Sequence, residues 1–444
     1  MEKISVIGAG LVGSLFSIYL AKKGYQVNIF ERRPDMRKET IVAGRSINLA
    51  LSDRGWRALE DIGIGDEIRK IAIPMYGRMM HNVKGELYYQ PYGKENQAIY
   101  SVSRGGLNCK LMDIAEKNKN VNIYFNEKCV DIDLERSEVI FENPVTAKKV
   151  SVFGDRIIGA DGAFSAARLR LQMTDRFDYS QQYLKHGYKE LTIPSNPDGT
   201  WKMEKNVLHI WPRGEFMLIA LPNQDGSFTC TLFFPFEGKH SFSSLRTEED
   251  VLNFFNAVFP DAVPLMPSLV TDYLKNPTSS LAIIKCSPWN YKDKVLLIGD
   301  ASHAIVPFYG QGMNSGFEDC TVLSGLFEKH GENWRAVFHE FSETRKEDTD
   351  AICELALRNF IEMRDLVGDP KFLLRKKIEA KIYEKYPDKW MPLYSMVTFS
   401  NKPYSEALKE GNRQDRIMEK IMDIENIEEK WDTEEIEQEI LTHL

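Results

Sequence analysis

A chain whose first apolar strand runs straight into three spaced glycines has little freedom in how it starts to fold. Ile4 to Ile7 is such a strand, Gly8-Ala-Gly10-Leu-Val-Gly13 follows it, and Leu11 to Lys23 then repeats its apolar residues at helical spacing. Gly8 permits the tight turn, Gly10 lets the backbone approach a pyrophosphate, and Gly13 lets the helix pack closely on the strand. The helix N-terminus is then placed to hold phosphate charge. A second strand, Val27 to Phe30, ends at Glu31, where an acidic residue accepts hydrogen bonds from a ribose diol and repels a 2′-phosphate. The nucleotide is therefore FAD or NAD and not NADP. The alternative, a tight turn with no ligand, has to place strand, helix, second strand and Glu31 in register by accident.

Two later signatures decide between the two nucleotides. Asp161-Gly162 follows the apolar strand Arg156 to Gly159, and Gly299-Asp300 follows Val295 to Ile298. Each dipeptide alone is an ordinary turn signal. An aspartate at a strand's carboxyl end, beside a glycine, also suits a ribose or ribityl hydroxyl. NAD has no ribityl chain to occupy the second site, so the order of the three signatures points to FAD.

The remaining sequence fits an α/β architecture: a Rossmann-like βαβ layer, an antiparallel-sheet substrate domain and a C-terminal helical region. Strand-then-glycine and strand-then-helix patterns assign residues 1–70, 98–170 and 288–328 to a discontinuous FAD-binding domain. Residues 71–97 and 171–287 form the substrate-binding sheet domain. In it His209 to Pro222 and Ser227 to Pro235 read as a hairpin about Asn223-Gln-Asp-Gly226. Residues 329–444 are helical by periodicity.

With 444 residues, 43% hydrophobic and 27% charged, the chain is long enough for two or three domains. Six cysteines lack CxxC or metal spacing, so buried thiols in a reducing compartment are expected, with no disulfide framework and no metal site. No stretch is long and apolar enough for a membrane span, and no cleavable leader is legible. A soluble, cytoplasmic protein is expected. Residues 411–444 carry seven of the eight excess negative charges, and Ile417, Ile421, Ile424 and Trp431 recur there at helical spacing. That is an acidic amphipathic helix, expected to pack on its own protein. A protein partner for it is unknown, and nucleic-acid binding is disfavoured for want of a basic patch.

At this point the chain resembles the flavoprotein aromatic hydroxylases of the p-hydroxybenzoate hydroxylase type, and within them the kynurenine 3-monooxygenases. The closer resemblance is carried by Gly44-Arg-Ser-Ile-Asn-Leu-Ala-Leu-Ser52, His186-Gly-Tyr-Lys-Glu-Leu191, His209-Ile-Trp-Pro-Arg213, Phe228-Thr-Cys-Thr-Leu-Phe233, Val306-Pro-Phe-Tyr-Gly-Gln-Gly-Met-Asn314 and Pro392-Leu-Tyr-Ser-Met-Val-Thr-Phe399. It implies tightly bound FAD held by Gly8, Gly10, Val12, Gly13, Glu31, Arg32, Arg33, Arg45, Ala50, Arg104, Asp161, Gly162, Gly299, Asp300, Gly310, Gln311, Gly312, Met313 and Asn314. Arg104, just after the strand Ile99 to Val102, is either a flavin contact or an ordinary helix-start arginine. The loop Pro307 to Gly312 and the helix that follows would face the flavin's pyrimidine edge, where a helix dipole stabilises negative charge.

The same resemblance implies a substrate carboxylate held by Arg78 and Tyr92, as a planar guanidinium binds a carboxylate bidentately. Asn359 and Tyr394 would add polar groups from the C-terminal helices. Leu208, Met217, Ile219, Thr231, Phe233, Pro307 and Phe308 would wall the aromatic ring. The implied reaction is hydroxylation of L-kynurenine to 3-hydroxykynurenine with NADPH and O2 through a flavin hydroperoxide. NADPH visits transiently, since no second glycine fingerprint exists, and Asp161-Gly162 with Arg168 is the segment credited with that visit. The ring amine supplies the electron push, so no side-chain acid or base is assigned. The eukaryotic members end in an apolar anchor where this chain has its acidic helix, so no transmembrane anchor is expected. Two other readings stay open: a same-fold flavin monooxygenase for another aromatic acid, and a non-catalytic FAD-binding interaction protein.

Overall fold

The first strand, Lys3–Ile7, lies between two parallel neighbours, Gln26–Glu31 on one side and Arg156–Gly159 on the other. These central strands are near-continuous apolar runs because both faces of a parallel sheet are covered. The structure, a computed structural model, describes residues 1–38, 48–94, 96–366 and 369–443. It contains parallel and antiparallel sheets and a helical C-terminal region, which makes it a mixed α/β fold. Packing divides it into two units.

Unit 1 comprises residues 1–73, 100–184 and 280–353. Its six-stranded sheet runs in the order Asn290–Tyr291, Val295–Leu297, Arg156–Gly159, Lys3–Ile7, Gln26–Glu31 and Val121–Phe125, parallel except for the first pair. Helix Leu11–Lys22 buries Leu15, Phe16, Ile18 and Leu20 in one core with Ile4, Val6, Val27 and Ile157. The first half of the long helix Trp334–Ile361 adds Trp334, Val337, Phe338 and Phe341 to that core. For this reason residues 329–353 pack with unit 1, and the C-terminal helical stretch is not a separate body.

Unit 2 comprises residues 74–99, 185–279 and 354–444. Its sheet contains the second half of the strand Asp178–Ile193, then Phe228–Pro235, Met217–Pro222, Leu208–Pro212, Gly77–His81 and Leu87–Pro91. All pairings are antiparallel except that of Leu208–Pro212 with Gly77–His81. The stretch 209–222 is not one strand, as its alternation suggests, but two. Gly214 at φ +68° reverses the chain, and Arg213 N donates to Phe216 O. One sheet face buries Trp211, Leu218, Cys230, Leu232 and Phe234 against Val251, Phe255 and Leu269 of the helices beneath. A second core joins Ile378, Ile382, Trp390, Ile417, Ile421, Ile436 and Ile440.

The acidic terminal segment is thus packed on its own unit through its apolar stripe. It is broken into the helices Tyr404–Met422, Ile427–Lys430 and Glu434–Thr442, with Asn426 left-handed at φ +59° in the break. Lys385 and Tyr386 bond Glu437 at 2.5 and 2.6 Å. No helix among the described residues is long and apolar enough to cross a membrane.

Candidate active site

In unit 1 the three glycine signatures meet at the carboxyl ends of the parallel strands, and each glycine has a distinct physical reason. A Cβ on Gly8, at φ +104°, would stand 2.5 Å from the Ala160 carbonyl oxygen, and one on Gly13 would stand 2.1 Å from that of Gly8. These two are fixed by protein packing. A Cβ on Gly10 meets nothing within 4 Å, so the loop opens there on free space of the kind a pyrophosphate needs. Glu31 closes the loop from the side: its carboxylate accepts from Ala9 N at 3.0 Å, Arg33 N at 3.1 Å and Arg33 Nε at 2.8 Å. Asn108 Nδ2 donates to the Ala9 carbonyl at 3.1 Å, and its own Oδ1 is buried without a partner among the described residues. Arg32 is exposed, while Val12 packs against Gly299 and Gly316.

Asp161 and Asp300 differ in a way the sequence does not reveal. Asp161 accepts from Ser165 Oγ at 2.5 Å and from Ala166 N and Ala167 N at 2.7 and 3.2 Å, and so caps the helix Ala166–Leu171. Gly162, left-handed at φ +82°, faces open space. Asp300, half-buried, has no hydrogen-bond partner among the described residues. Burial pushes its carboxyl upward, and the Arg104 guanidinium opposes that shift. Arg104 is exposed at the start of the helix Arg104–Glu116. Arg168 is otherwise engaged: it is buried, donating to Ala301 O at 2.8 Å and Ala163 O at 2.6 Å. Its guanidinium locks two turns together.

The loop after Gly299-Asp300 is tied to the strand Asn48–Leu51. Asn314 accepts from Ser52 N at 2.9 Å and donates to Ala50 O at 2.8 Å and Gly310 O at 2.7 Å, while Gln311 Nε2 donates to Ser52 Oγ at 3.3 Å. Gly310 is left-handed at φ +68°, directing the chain into the helix Gly312–His330. No side chain caps that helix, and its first-turn N–H groups, Gly312 and Met313 included, have no intrahelical acceptor. Pro307 and Phe308 lie in the short turn before it. Arg45 lies outside the described residues.

One buried carboxylate, absent from the sequence-based set, holds this turn. Asp319 accepts from Gly299 N at 2.9 Å, faces His303 Nε2 at 2.7 Å and takes Arg345 Nε at 3.1 Å. Burial alone would raise its pKa, but His303 and Arg345 pull it below the ordinary carboxylate value. An aspartate seven positions into a helical run, on its apolar side, was the available signal.

In unit 2 the strand register gathers the expected substrate residues on one face. Leu208 stands opposite Arg78, Met217 opposite Phe233, and Ile219 opposite Thr231. Ile210 links them, paired with both Met80 and Ile219. This is the face that does not join the core with Trp211 and Leu232. Arg78 is buried beside two phenols, its guanidinium carbon 4.8 Å from the Tyr394 ring centre and 5.5 Å from that of Tyr92. The two rings stack at 5.3 Å and 9°. Burial would lower the Arg78 pKa, yet Tyr394, Tyr92 and Glu362 hold it above its ordinary value, so the cation is permanent. Desolvation pushes both phenols up, and they remain neutral donors.

Among the described residues neither Arg78 Nε nor the buried Tyr92 hydroxyl has a hydrogen-bond partner. Such groups cost folding free energy unless a ligand uses them. Asn359 is buried on the helix Trp334–Ile361 and donates to Met363 Sδ at 3.2 Å. Glu362, three residues on, lies 3.9 Å from Arg78 and is a second site residue that sequence reasoning missed. Its i, i+3 spacing from Asn359 on one helix face was the signal.

Behind the clamp the strands are fastened by His81, which bonds Asp261 at 2.7 Å and His209 at 2.9 Å. Burial pushes His209 down to about 4, leaving it neutral.

The chain matches the FAD binding domain family over residues 1–334. It is 53% identical over 439 residues to a kynurenine 3-monooxygenase of Flavobacterium johnsoniae, covering 99% of this chain and 98% of that one. It is 52% identical over 440 residues to a kynurenine 3-monooxygenase of Flavobacterium psychrophilum, with 99% and 98% covered. Among solved structures it is similar in fold to a tetrameric 2-methyl-3-hydroxypyridine-5-carboxylic acid oxygenase, with a TM-score of 0.67, 19% identity, and 88% of this chain and 98% of that one covered.

Proposed function

This chain belongs to the kynurenine 3-monooxygenase family, and from that premise we propose which of its residues perform the reaction. It is an FAD-dependent monooxygenase that hydroxylates L-kynurenine to 3-hydroxykynurenine with NADPH and O2. One oxygen atom of O2 enters the ring beside the amine, and the other leaves as water with the two electrons supplied by NADPH. FAD, when bound, supplies the activation of O2.

Unit 1 is the cofactor unit in this reading. Gly8, Gly10 and Gly13 shape the pyrophosphate loop, Glu31 takes the ribose, and Asp300 with Arg104 supplies the unpaired acceptor and donor for the ribityl and phosphate groups. The N–H groups at Gly312 and Met313 face the pyrimidine edge. Arg33 is taken up by Glu31, which it orients.

Unit 2 is the substrate unit, and one observation carries that assignment: a buried, permanently charged Arg78, flanked by two stacked phenols, with its Nε and the Tyr92 hydroxyl unpaired. Arg78 binds the α-carboxylate, and Tyr92 and Tyr394 donate to it. Leu208, Met217, Ile219, Thr231 and Phe233 orient the ring and exclude water from it, while Asn359 serves the amine end. None of these groups needs to move a proton from the ring carbon, because the ring's own amine supplies the electron density. The six free cysteines suit a cytoplasmic enzyme.

The test is product identity. With NADPH, air and L-kynurenine the protein forms 3-hydroxykynurenine in step with NADPH consumed. A product only from an aromatic acid lacking the amino-acid side chain would refute the clamp assignment.

A further inference from the structure

Arg78 is the first member of a ladder of alternating charge that runs through the helical part of unit 2. Its Nη1 lies 3.9 Å from Oε1 of Glu362, whose Oε2 lies 3.9 Å from Nζ of Lys376. Lys376 meets Glu379 at 3.2 Å, Glu379 meets Arg375 at 2.7 Å, and Arg375 meets Asp415 at 2.5 Å. Asp415 also pairs with Arg358, the neighbour of Asn359. The ladder therefore starts on the clamp strand, crosses the helices Pro370–Lys385 and Tyr404–Met422, and ends on the helix that carries Asn359.

Glu362 is the odd member. Every other rung closes within hydrogen-bond distance, whereas Glu362 stands 3.9 Å from both its cations and makes no hydrogen bond among the described residues. It opens the π-helical turn Glu362–Leu366, where the helix changes its hydrogen-bond register. A carboxylate in this position is a built-in competitor for Arg78: a shift of about 1 Å would give it the charge-assisted hydrogen bond that a substrate carboxylate needs. Lys376 is what opposes the shift. Burial would lower its pKa, but Glu379 and Glu362 hold it above the ordinary lysine value, so its charge is fixed. Along the ladder four cations face three carboxylates, leaving one positive charge for an arriving carboxylate to balance.

We propose that Lys376 is a positioning residue for substrate binding: it draws Glu362 away from Arg78 and keeps the guanidinium available to the carboxylate of an aromatic amino acid. This rests on Arg78 being the carboxylate clamp. Removal of the lysine charge lets Glu362 close on Arg78, and substrate affinity falls. Removal of the glutamate charge as well restores it.

The experiment compares FAD-loaded native protein with Lys376→Met, Lys376→Arg, Glu362→Gln and the double variant Glu362→Gln/Lys376→Met. Each is titrated, by flavin absorbance, with L-kynurenine and with its analogue lacking the α-amine, 4-(2-aminophenyl)-4-oxobutanoate. KM and kcat are measured separately for L-kynurenine. Lys376→Met is expected to weaken the analogue about tenfold and to raise KM with kcat within about twofold, while Lys376→Arg stays near native. Glu362→Gln is expected to bind the analogue about threefold tighter than native protein, and the double variant to return to within about threefold of Glu362→Gln alone.

Native affinity in Lys376→Met overturns the proposal, as do losses that simply add in the double variant. Should Lys376→Met fail to retain flavin, the gain in Glu362→Gln decides by itself, because a merely structural ladder gives a loss there. Native protein that binds neither ligand would refute the clamp, not the ladder.

Discussion

The glycine loop of unit 1 and the arginine clamp of unit 2 recognise charge by opposite means. The loop presents main-chain groups and empty space, and its geometry is set largely within the first strand–helix–strand unit: Gly13 against Gly8, and Glu31 on Ala9 N. The clamp presents side chains drawn from a strand at Arg78, the end of the next strand at Tyr92, and helices at Asn359 and Tyr394. A main-chain site is therefore broken by adding atoms, and a side-chain site by removing them. It follows that variants in the two places should separate folding from binding differently.

The largest effect is expected inside the loop itself. Gly13→Val places a branched side chain where even a Cβ stands 2.1 Å from a backbone carbonyl oxygen, and unit 1 should lose more than about 3 kcal/mol. Gly10→Val, three positions earlier, should leave the melting temperature of the flavin-free protein unchanged while abolishing FAD retention, since no described residue lies within 4 Å of a Cβ there. Equal destabilisation of both apoproteins would erase the distinction between packed and ligand-facing glycines.

Next comes the buried carboxylate under the second turn. Asp319→Ala leaves Arg345 and His303 without their partner and should cost about 3–5 kcal/mol in chemical denaturation. Because the folded-state pKa of Asp319 is depressed, its contribution is complete above the unfolded value of about 4 and is lost as pH falls through the folded one. The variant's stability should thus depend less on pH in that acid range than the native protein's. An unchanged acid limb would show that the group is not the one titrating.

On the side-chain site the effects move from stability to binding. Arg78→Met should weaken L-kynurenine by about 2–4 kcal/mol in flavin titration while FAD remains bound, because a desolvated charge pair loses one partner. Loss of flavin together with substrate would contradict the assignment of Arg78 to the substrate alone. The smallest effect has an unusual sign. Tyr92→Phe removes a buried hydroxyl that has no partner among the described residues, so the ligand-free protein should melt at or above the native temperature while substrate binding weakens by about 1 kcal/mol. A lower melting temperature would mean that the hydroxyl is already satisfied within the fold.

Much of the cofactor site was legible in the sequence because its parts are short and local. The order strand, glycine loop, helix, second strand and Glu31 needs no distant residue to be recognised. The same locality does not tell Asp161 from Asp300: the dipeptides resemble each other, yet the Asp161 carboxylate caps its own helix. Arg168, expected by resemblance alone to serve the NADPH visit, ties Ala163 to Ala301 in the fold. In the sheet, alternation identified strands but not the reversal at Gly214, since one left-handed residue leaves the apolar period intact on both sides. The clamp was legible only through resemblance: Arg78, Tyr92 and Tyr394 are separated by 14 and 302 positions, and no spacing rule joins them.

What the sequence determined by itself is the layer of parallel strands with glycines at their carboxyl ends, the antiparallel sheet with its apolar alternation, and the apolar stripe of the acidic terminal helices. These follow from backbone sterics and the two periodicities of 2 and 3.6 residues, which act within a few positions. Tertiary structure alone decided which charges are paired and which are left waiting. Asp300 without a partner beside Arg104, Asp319 saturated by three donors, and Glu362 poised between Arg78 and Lys376 are all carboxylates of ordinary sequence context. Their roles depend on distances of about 3–4 Å between groups far apart in the chain, over which Coulomb energies change steeply and desolvation costs are set.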